Sequence, residues 1–181
     1  MDTSNIILIG MPGAGKSTLG VLLAKSTGKP FLDTDLLIQQ KENRLLQDII
    51  NQDGIEKFLD IEKEVIININ VENHVIATGG SAVYRQSSMD HLKKGGIVVY
   101  LKLSYKEIED RIKNIKSRGI AMSQSGNLSD LFEERAPLYE KYADITVDCS
   151  GKHFEETISE IIHTIKKAIL PFKKTGLDPT L

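Results

Sequence analysis

Cysteine is nearly missing from this chain: Cys149 is the only one in 181 residues. That excludes an internal disulfide and a thiolate metal cluster, and it points to a reducing, cytoplasmic setting. A charge bias is missing too. Lys plus Arg number 23 and Asp plus Glu 25, a formal net charge of −2, so bulk electrostatics gives no pull toward nucleic acid or an anionic membrane. Long apolar runs are also lacking. The N-terminus has no basic start, and its first run, Ile6-Ile7-Leu8-Ile9, stops at Gly10, too short for a signal-peptide core or a membrane span. No repeat, low-complexity block or linker divides the sequence, so residues 1–170 read as one domain and 171–181, without period, as a frayed tail. What is present is enough apolar side chain, 40% against 27% charged, to build a core rather than a disordered chain.

Short Ile- and Val-rich runs alternate with stretches of helical period, which predicts an α/β fold: a parallel sheet with crossover helices. Residues 5–9, 30–33, 74–77, 97–101 and 143–147 read as strands, the first apolar at every position as a strand covered on both faces should be. Residues 15–27, 104–116, a span from 127 or 129, and 154–169 read as helices. Ser104 is placed to cap its helix, and Gly28 to stop the first one. Phe58, Ile61, Val65 and Ile69 recur at helical spacing within residues 47–71, whose middle reads as one helix. Pro137 is expected to end or bend the helix it falls in. The polar, glycine-marked stretch 117–126 reads as a mobile loop.

Gly10-Met11-Pro12-Gly13-Ala14-Gly15-Lys16-Ser17 carries two glycines flanking four residues, then Lys and Ser. A chance match is on the order of one in a hundred for a chain of this size. The block follows a strand and opens a helix, the context that phosphate binding requires. Its glycines let successive N–H groups turn inward, the helix N-terminus adds positive potential, and Gly13, Ala14, Gly15, Lys16, Ser17 and Thr18 would hold a nucleoside triphosphate. Lys16 would reach the β- and γ-phosphates and Ser17 would ligate Mg²⁺.

The remaining metal-side acid is expected at the end of a buried strand, and only Leu32-Asp33-Thr34-Asp35 supplies one. If extended, the two aspartates share a side, so Asp33 could meet Mg²⁺ through water while Asp35 faces an acceptor hydroxyl. The bland alternative makes Asp33 a turn former and Asp35 a helix cap. No Asn-Lys-x-Asp guanine motif occurs, and the chain is too short for a motor, which leaves a small kinase. The four histidines show no metal-ligand spacing, and Cys149 reads as inert and partly buried.

From residue 6 to residue 169 the sequence resembles the shikimate kinase family of P-loop proteins. The resemblance rests on the loop, Asp33-Thr34-Asp35, Thr78-Gly79-Gly80, Arg118 in a loop and Arg135-Ala136-Pro137-Leu138-Tyr139, in that order. It implies a three-layer fold with a five-stranded parallel sheet and a mobile lid at about 116–126. It also implies transfer of the ATP γ-phosphoryl group to a hydroxyl of a small hydroxylated acid, shikimate to shikimate 3-phosphate in aromatic amino acid biosynthesis. By position, Asp35 would hold or deprotonate the attacking hydroxyl, and Asp33 would support Mg²⁺. Gly79 and Gly80 would offer N–H groups to the acceptor, Arg118 would reach the transferring group, Arg111 would lie near the nucleotide, and Arg135 would pair with the acceptor's carboxylate. Arg111 reads equally as part of a solvated helix face; for Arg135, beside Glu133 and Glu134, the lesser alternative is a surface ion pair.

The pattern departs at Phe58-Leu59, where the family carries Phe-Arg and that arginine is a principal carboxylate partner. Asp60 adds negative charge, Glu62 is retained, and the third glycine is Ser81. Losing a two-pronged partner would cost a bound carboxylate about 2–4 kcal/mol. Either Arg135 or Lys57 takes over the carboxylate, or the acceptor is a less acidic molecule. Alternatives are a gluconate-type or nucleotide kinase, although lid arginines for a second phosphate set are lacking, and a nucleotide-binding regulator without turnover. No protein partner is evident.

Overall fold

The computed structural model describes residues 4–113 and 127–169. The expected lid, Arg118 within it, and the expected frayed tail lie outside these residues. Five strands, β1 (Asn5–Ile9), β2 (Phe31–Asp33), β3 (Val75–Ala77), β4 (Gly96–Lys102) and β5 (Ile145–Asp148), form one parallel sheet in the order β2-β3-β1-β4-β5. Ile7 is the register point of the centre, opposite Ile76 on one side and Val98 on the other. All five residues of β1 are buried, because helices cover both faces.

The helices are α1 (Lys16–Thr27), α2 (Thr34–Glu42), α3 (Leu46–Asp53), α4 (Ile55–Ile67), α5 (Gln86–Gly95), α6 (Tyr105–Lys113), α7 (Leu128–Tyr142) and α8 (Phe154–Ile169), with a 3₁₀ turn at Ala82–Tyr84. α1 packs on β1, β2 and β3 and against α8, while α5 and α7 pack on β4. Among the described residues no helix is long and apolar enough to cross a membrane. Ser104 caps α6 as expected: its hydroxyl donates to Glu107 Oε2 at 2.7 Å, while its oxygen accepts the Glu107 N–H at 3.4 Å.

The middle of the span 47–71 is one helix, α4, as expected; before it Gly54, at φ 83°, ends α3 and opens α4, and Ile69 lies past its end. That break lets Ile49 of α3 and Phe58, Leu59, Ile61 and Val65 of α4 close with Ile38 of α2 into a second apolar cluster, apart from the sheet. Pro137 does not end α7, which continues through it to Tyr142. The hydrogen bond it removes is the one to Glu133, on the exposed side, while Leu131, Arg135, Tyr139 and Tyr142 bury the opposite face. Finally, β2 stops at Asp33, so the two aspartates are not on an extended strand. Asp33 is the N-cap of α2, accepting the N–H of Asp35 in the first helical turn at 2.9 Å.

Candidate active site

At the C-terminal ends of β1, β2 and β3 lies a cavity of about 360 Å³, where open parallel sheets place their ligands. A larger one, about 560 Å³, sits at the opposite ends of β1 and β4 and contains none of the motif residues. Gly13, Gly15, Lys16 and Ser17 line the motif cavity from α1's entry, Asp33 and Asp35 from β2–α2, Thr78, Gly79, Gly80 and Ser81 from β3's exit, Phe58 from α4 and Arg135 from α7. Every expected site residue among the described ones is there except Ala14, which is buried, Thr18, which is exposed on α1, and Arg111.

The loop takes the shape its glycines allow. Gly13 and Gly15 hold φ of 81° and 88°, a region costly for residues with a Cβ. Lys16 is buried, and its Nζ donates to the carbonyls of Gly10 at 2.8 Å and Met11 at 3.0 Å, so the ammonium is held over the loop. Arg111 reaches across from α6, its Nη1 donating to Gly13 O at 3.4 Å. On Gly15 it is met by Phe154 at the start of α8: a Cβ added there would lie 3.9 Å from Arg111 Nη1 and 3.8 Å from the Phe154 ring. Phe154 is 43% exposed. The sequence pattern assigns it no role beyond opening the last helix, because nothing near it in the chain shows that it reaches the loop.

The acceptor side is made of buried side chains. Thr34, between the two aspartates, is fully buried and its Oγ1 accepts the Gly79 N–H at 3.0 Å. That N–H, expected to meet an acceptor, is therefore engaged within the protein. What Gly79 contributes is space: an added Cβ would overlap Glu62 Oε1 and come within 2.8 Å of Asp35 Oδ1. Two carboxyl groups thus flank one backbone atom. Burial pushes Glu62 up to about 8, against the pull of the Ser81 hydroxyl, and the negative charge of Asp35 pushes the same way. Glu62 is thereby held uncharged at neutral pH, and its Oε1 has no hydrogen-bond partner among the described residues.

Arg135 is no surface ion-pair residue; it is 1% exposed. Its Nε–H donates to Tyr84 Oη at 2.9 Å, and its guanidinium carbon lies 4.8 Å from the centre of the Tyr84 ring. Tyr139 Oη fixes the neighbouring backbone by donating to Gly80 O at 2.6 Å. Of the two basic residues expected to replace the family arginine, Arg135 lines the cavity while Lys57 is exposed on α4 and does not. Leu59 is buried in the second cluster and Asp60 pairs with Arg85 at 3.2 Å. Cys149 is buried rather than partly so, and burial pushes its thiol up to about 11, away from the reactive thiolate. No group of His, Cys, Asp or Glu that could hold a metal on its own occurs among the described residues.

The sequence profile of the shikimate kinase family matches residues 12–166. A shikimate kinase from Sulfurihydrogenibium sp. is 35% identical over 164 residues, covering 90% of this chain and 98% of that protein. One from Thermodesulfovibrio yellowstonii is 37% identical over 161 residues, covering 87% and 92%. Among solved structures, the shikimate kinase of Acinetobacter baumannii in complex with shikimate superposes with a TM-score of 0.80 at 31% identity, over 92% of this chain and 94% of that one. The likeness runs from the generic phosphate loop through Arg135 into the last helix, so the chain belongs to the shikimate kinase family and is an ATP-dependent kinase that phosphorylates a hydroxyl group.

Proposed function

We propose that this chain moves the γ-phosphoryl group of ATP to a hydroxyl of a small hydroxylated acid, with shikimate as the first acceptor to test. The observation that carries this reading is a single cavity holding Lys16, Asp35 and Arg135: a phosphate-side cation, an acid for the attacking hydroxyl, and a buried guanidinium for the acceptor's anionic group. The relatives named shikimate kinase support it.

In this reading the acceptor oxygen attacks the γ-phosphorus, the bond from that phosphorus to the β-bridging oxygen breaks, ADP leaves, and the acceptor's proton passes to Asp35. Lys16 and the loop N–H groups stabilise charge on the phosphates, and Arg118 would add to this from outside the described residues. Arg111 and Phe154 offer a guanidinium and a ring to the base of the nucleotide. Ser17 and Asp33 are oxygen donors lining the same cavity, a hard set that suits Mg²⁺. Asp33 fits because its Oδ1 is spent on the Asp35 N–H, which fixes the carboxylate's direction. Bound with ATP, the ion would neutralise phosphate charge.

A second reading, an acceptor less acidic than shikimate, is favoured by Leu59, which stands apolar and buried where a carboxylate partner is expected, and by the apolar side chains of Phe58, Leu36 and Leu45 along the cavity wall. An ADP-release assay with ATP and Mg²⁺ against shikimate, quinate, gluconate and uncharged polyols decides between them. Turnover with shikimate supports the first reading and turnover only with uncharged polyols the second. Release with none of them would return weight to a regulator without turnover.

A further inference from the structure

β2 and β3 run side by side, paired from Phe31 opposite Val75 to Asp33 opposite Ala77. Beyond that rung the two chains part. The first turns into α2, whose carbonyls point along the helix axis, and the second runs on into Thr78, Gly79 and Gly80 at the cavity. The Gly79 N–H therefore needs an acceptor that the ladder no longer supplies. Thr34 supplies it from a side chain: its Oγ1 accepts that N–H at 3.0 Å, and the residue is fully buried.

Three consecutive side chains at the start of α2 thus act on one place. Asp33 Oδ1 accepts the Asp35 N–H at 2.9 Å and sets the first helical turn. Thr34 ties that turn to Gly79. Asp35 lays its carboxyl against the same glycine, with Oδ1 2.8 Å from where a Cβ on Gly79 would stand. That Cβ would also overlap Glu62 Oε1 of α4, so two carboxyl groups meet at the backbone atom that Thr34 holds. Thr34 is not among the residues lining the cavity, and so it acts through these neighbours.

We infer that Thr34 is a positioning residue for phosphoryl transfer: its hydroxyl pins Gly79 to the first turn of α2 and so sets where the Asp35 carboxylate meets the acceptor hydroxyl. This rests on the proposed role of Asp35 toward the acceptor. Without the hydroxyl, the carboxylate and the glycine backbone can slide past each other, and a displacement of about 1 Å at a reacting group costs up to about a hundredfold in rate. The phosphate loop, whose contacts are set within residues 10–16, should not follow that movement.

Thr34→Val keeps the size and the branch at Cβ and removes only the hydroxyl, whereas Thr34→Ser keeps the hydroxyl. With shikimate as acceptor, Thr34→Val is expected to lower kcat by about ten- to a hundredfold with the KM for ATP within about twofold, and Thr34→Ser to recover most of that loss. An unchanged kcat in Thr34→Val, a KM for ATP that rises as kcat falls, or a Thr34→Ser as slow as Thr34→Val overturns the inference. Thr34→Ala set against Thr34→Ser, a pair differing by one oxygen, repeats the comparison if Thr34→Val does not fold. The tether is also read by NMR without any acceptor. The Gly79 amide should exchange with water about tenfold faster in Thr34→Val than in the wild type or in Thr34→Ser, and the carbon-13 signal of the Asp35 carboxyl should move in Thr34→Val alone. Equal exchange rates, or an Asp35 signal that does not move, overturn the inference even if no acceptor is ever found. Both changes, together with a wild-type chain that phosphorylates nothing offered, keep the placement of Asp35 by Thr34 and reject the proposed function instead.

Discussion

On its nucleotide side the cavity presents backbone: Gly13 and Gly15 in left-handed conformations, with Lys16 held over the loop by two carbonyls. On its acceptor side it presents the buried side chains of Ser81 and Arg135, from the exit of β3 and α7, with Glu62 of α4 buried behind Gly79. A backbone cradle depends on few side chains, so it serves any P-loop kinase. A buried polar cluster works differently. Each member's charge depends on its neighbours, and removing one leaves another unsatisfied. The two sides should therefore respond differently to substitution: sharply and selectively on the acceptor side, gradually on the nucleotide side wherever a side chain only assists.

The largest effect is expected at Asp35. Asp35→Asn should lower acceptor-dependent turnover by about 10²–10⁴-fold, the usual worth of a positioned general base. ATP binding, followed by titration with a fluorescent analogue, should stay within a few-fold. Loss of nucleotide binding instead would place Asp35 on the nucleotide side and break the division.

Next comes Glu62, through stability rather than rate. The folded protein holds its proton up to about 8, whereas an unfolded glutamate releases it near the ordinary 4.5. Between these limits the folded state binds more protons, so the unfolding free energy falls as pH rises from about 4.5 to about 8. At about 1.4 kcal/mol per unit this amounts to a few kcal/mol. Glu62→Gln should flatten that part of the profile, measured by urea denaturation across the range; an equally steep profile in the variant would mean that Glu62 is charged in the fold. Glu107, far from the cavity, runs the other way. The Ser104 hydroxyl and the Gly151 N–H hold it down to about 2, so its contribution is present above the usual carboxylate range and is lost as pH falls toward about 2.

Leu59→Arg is expected to give a gain. Leu59 and Glu62 are one turn apart on α4, close enough for side chains to meet, and Glu62 Oε1 has no hydrogen-bond partner among the described residues. A guanidinium at 59 would find that oxygen, draw Glu62 into its charged form, and add a second cation on the acceptor side. The expectation is about a tenfold higher kcat/KM for shikimate, with the Glu62 titration seen by NMR moving down. A lower Glu62 pKa without a gain would leave the helix argument standing and remove shikimate as the acceptor.

These contrasts also explain how much of the site was legible. The phosphate loop is contiguous and glycine-coded, so its strand, turn and helix could be read directly from residues 5–27. The class of fold followed from the alternation of Ile- and Val-rich runs with helical period. The acceptor side is assembled from residues far apart in the chain, and its chemistry depends on burial. Arg135 came only from the resemblance, with a surface ion pair as its alternative, because one-dimensional spacing does not show that Leu131, Arg135 and Tyr139 share the buried face of α7. Tyr84 gave no signal except its place after the paired glycines. The Asp33 and Asp35 pair was legible for the wrong geometric reason, strand alternation, when a helix cap brings them together.

The smallest effect should fall on the nucleotide side. Arg111 touches the loop through one long hydrogen bond, 3.4 Å to Gly13 O, and near Gly15 it shares the space with Phe154. The loop's conformation does not depend on it, since the glycine dihedrals and the Lys16 contacts are set within residues 10–16. Arg111→Ala should therefore raise the KM for ATP by about three- to tenfold, the scale of one exposed stacking or charge contact, with kcat and the acceptor KM nearly constant. Phe154→Ala should do the same. If the two residues hold the base from opposite sides, the double variant should lose less than the product of the single losses, because a ring or guanidinium left alone already stacks poorly. A loss in kcat as large as that of Asp35→Asn would show that side chains, not the backbone cradle, govern the nucleotide half as well.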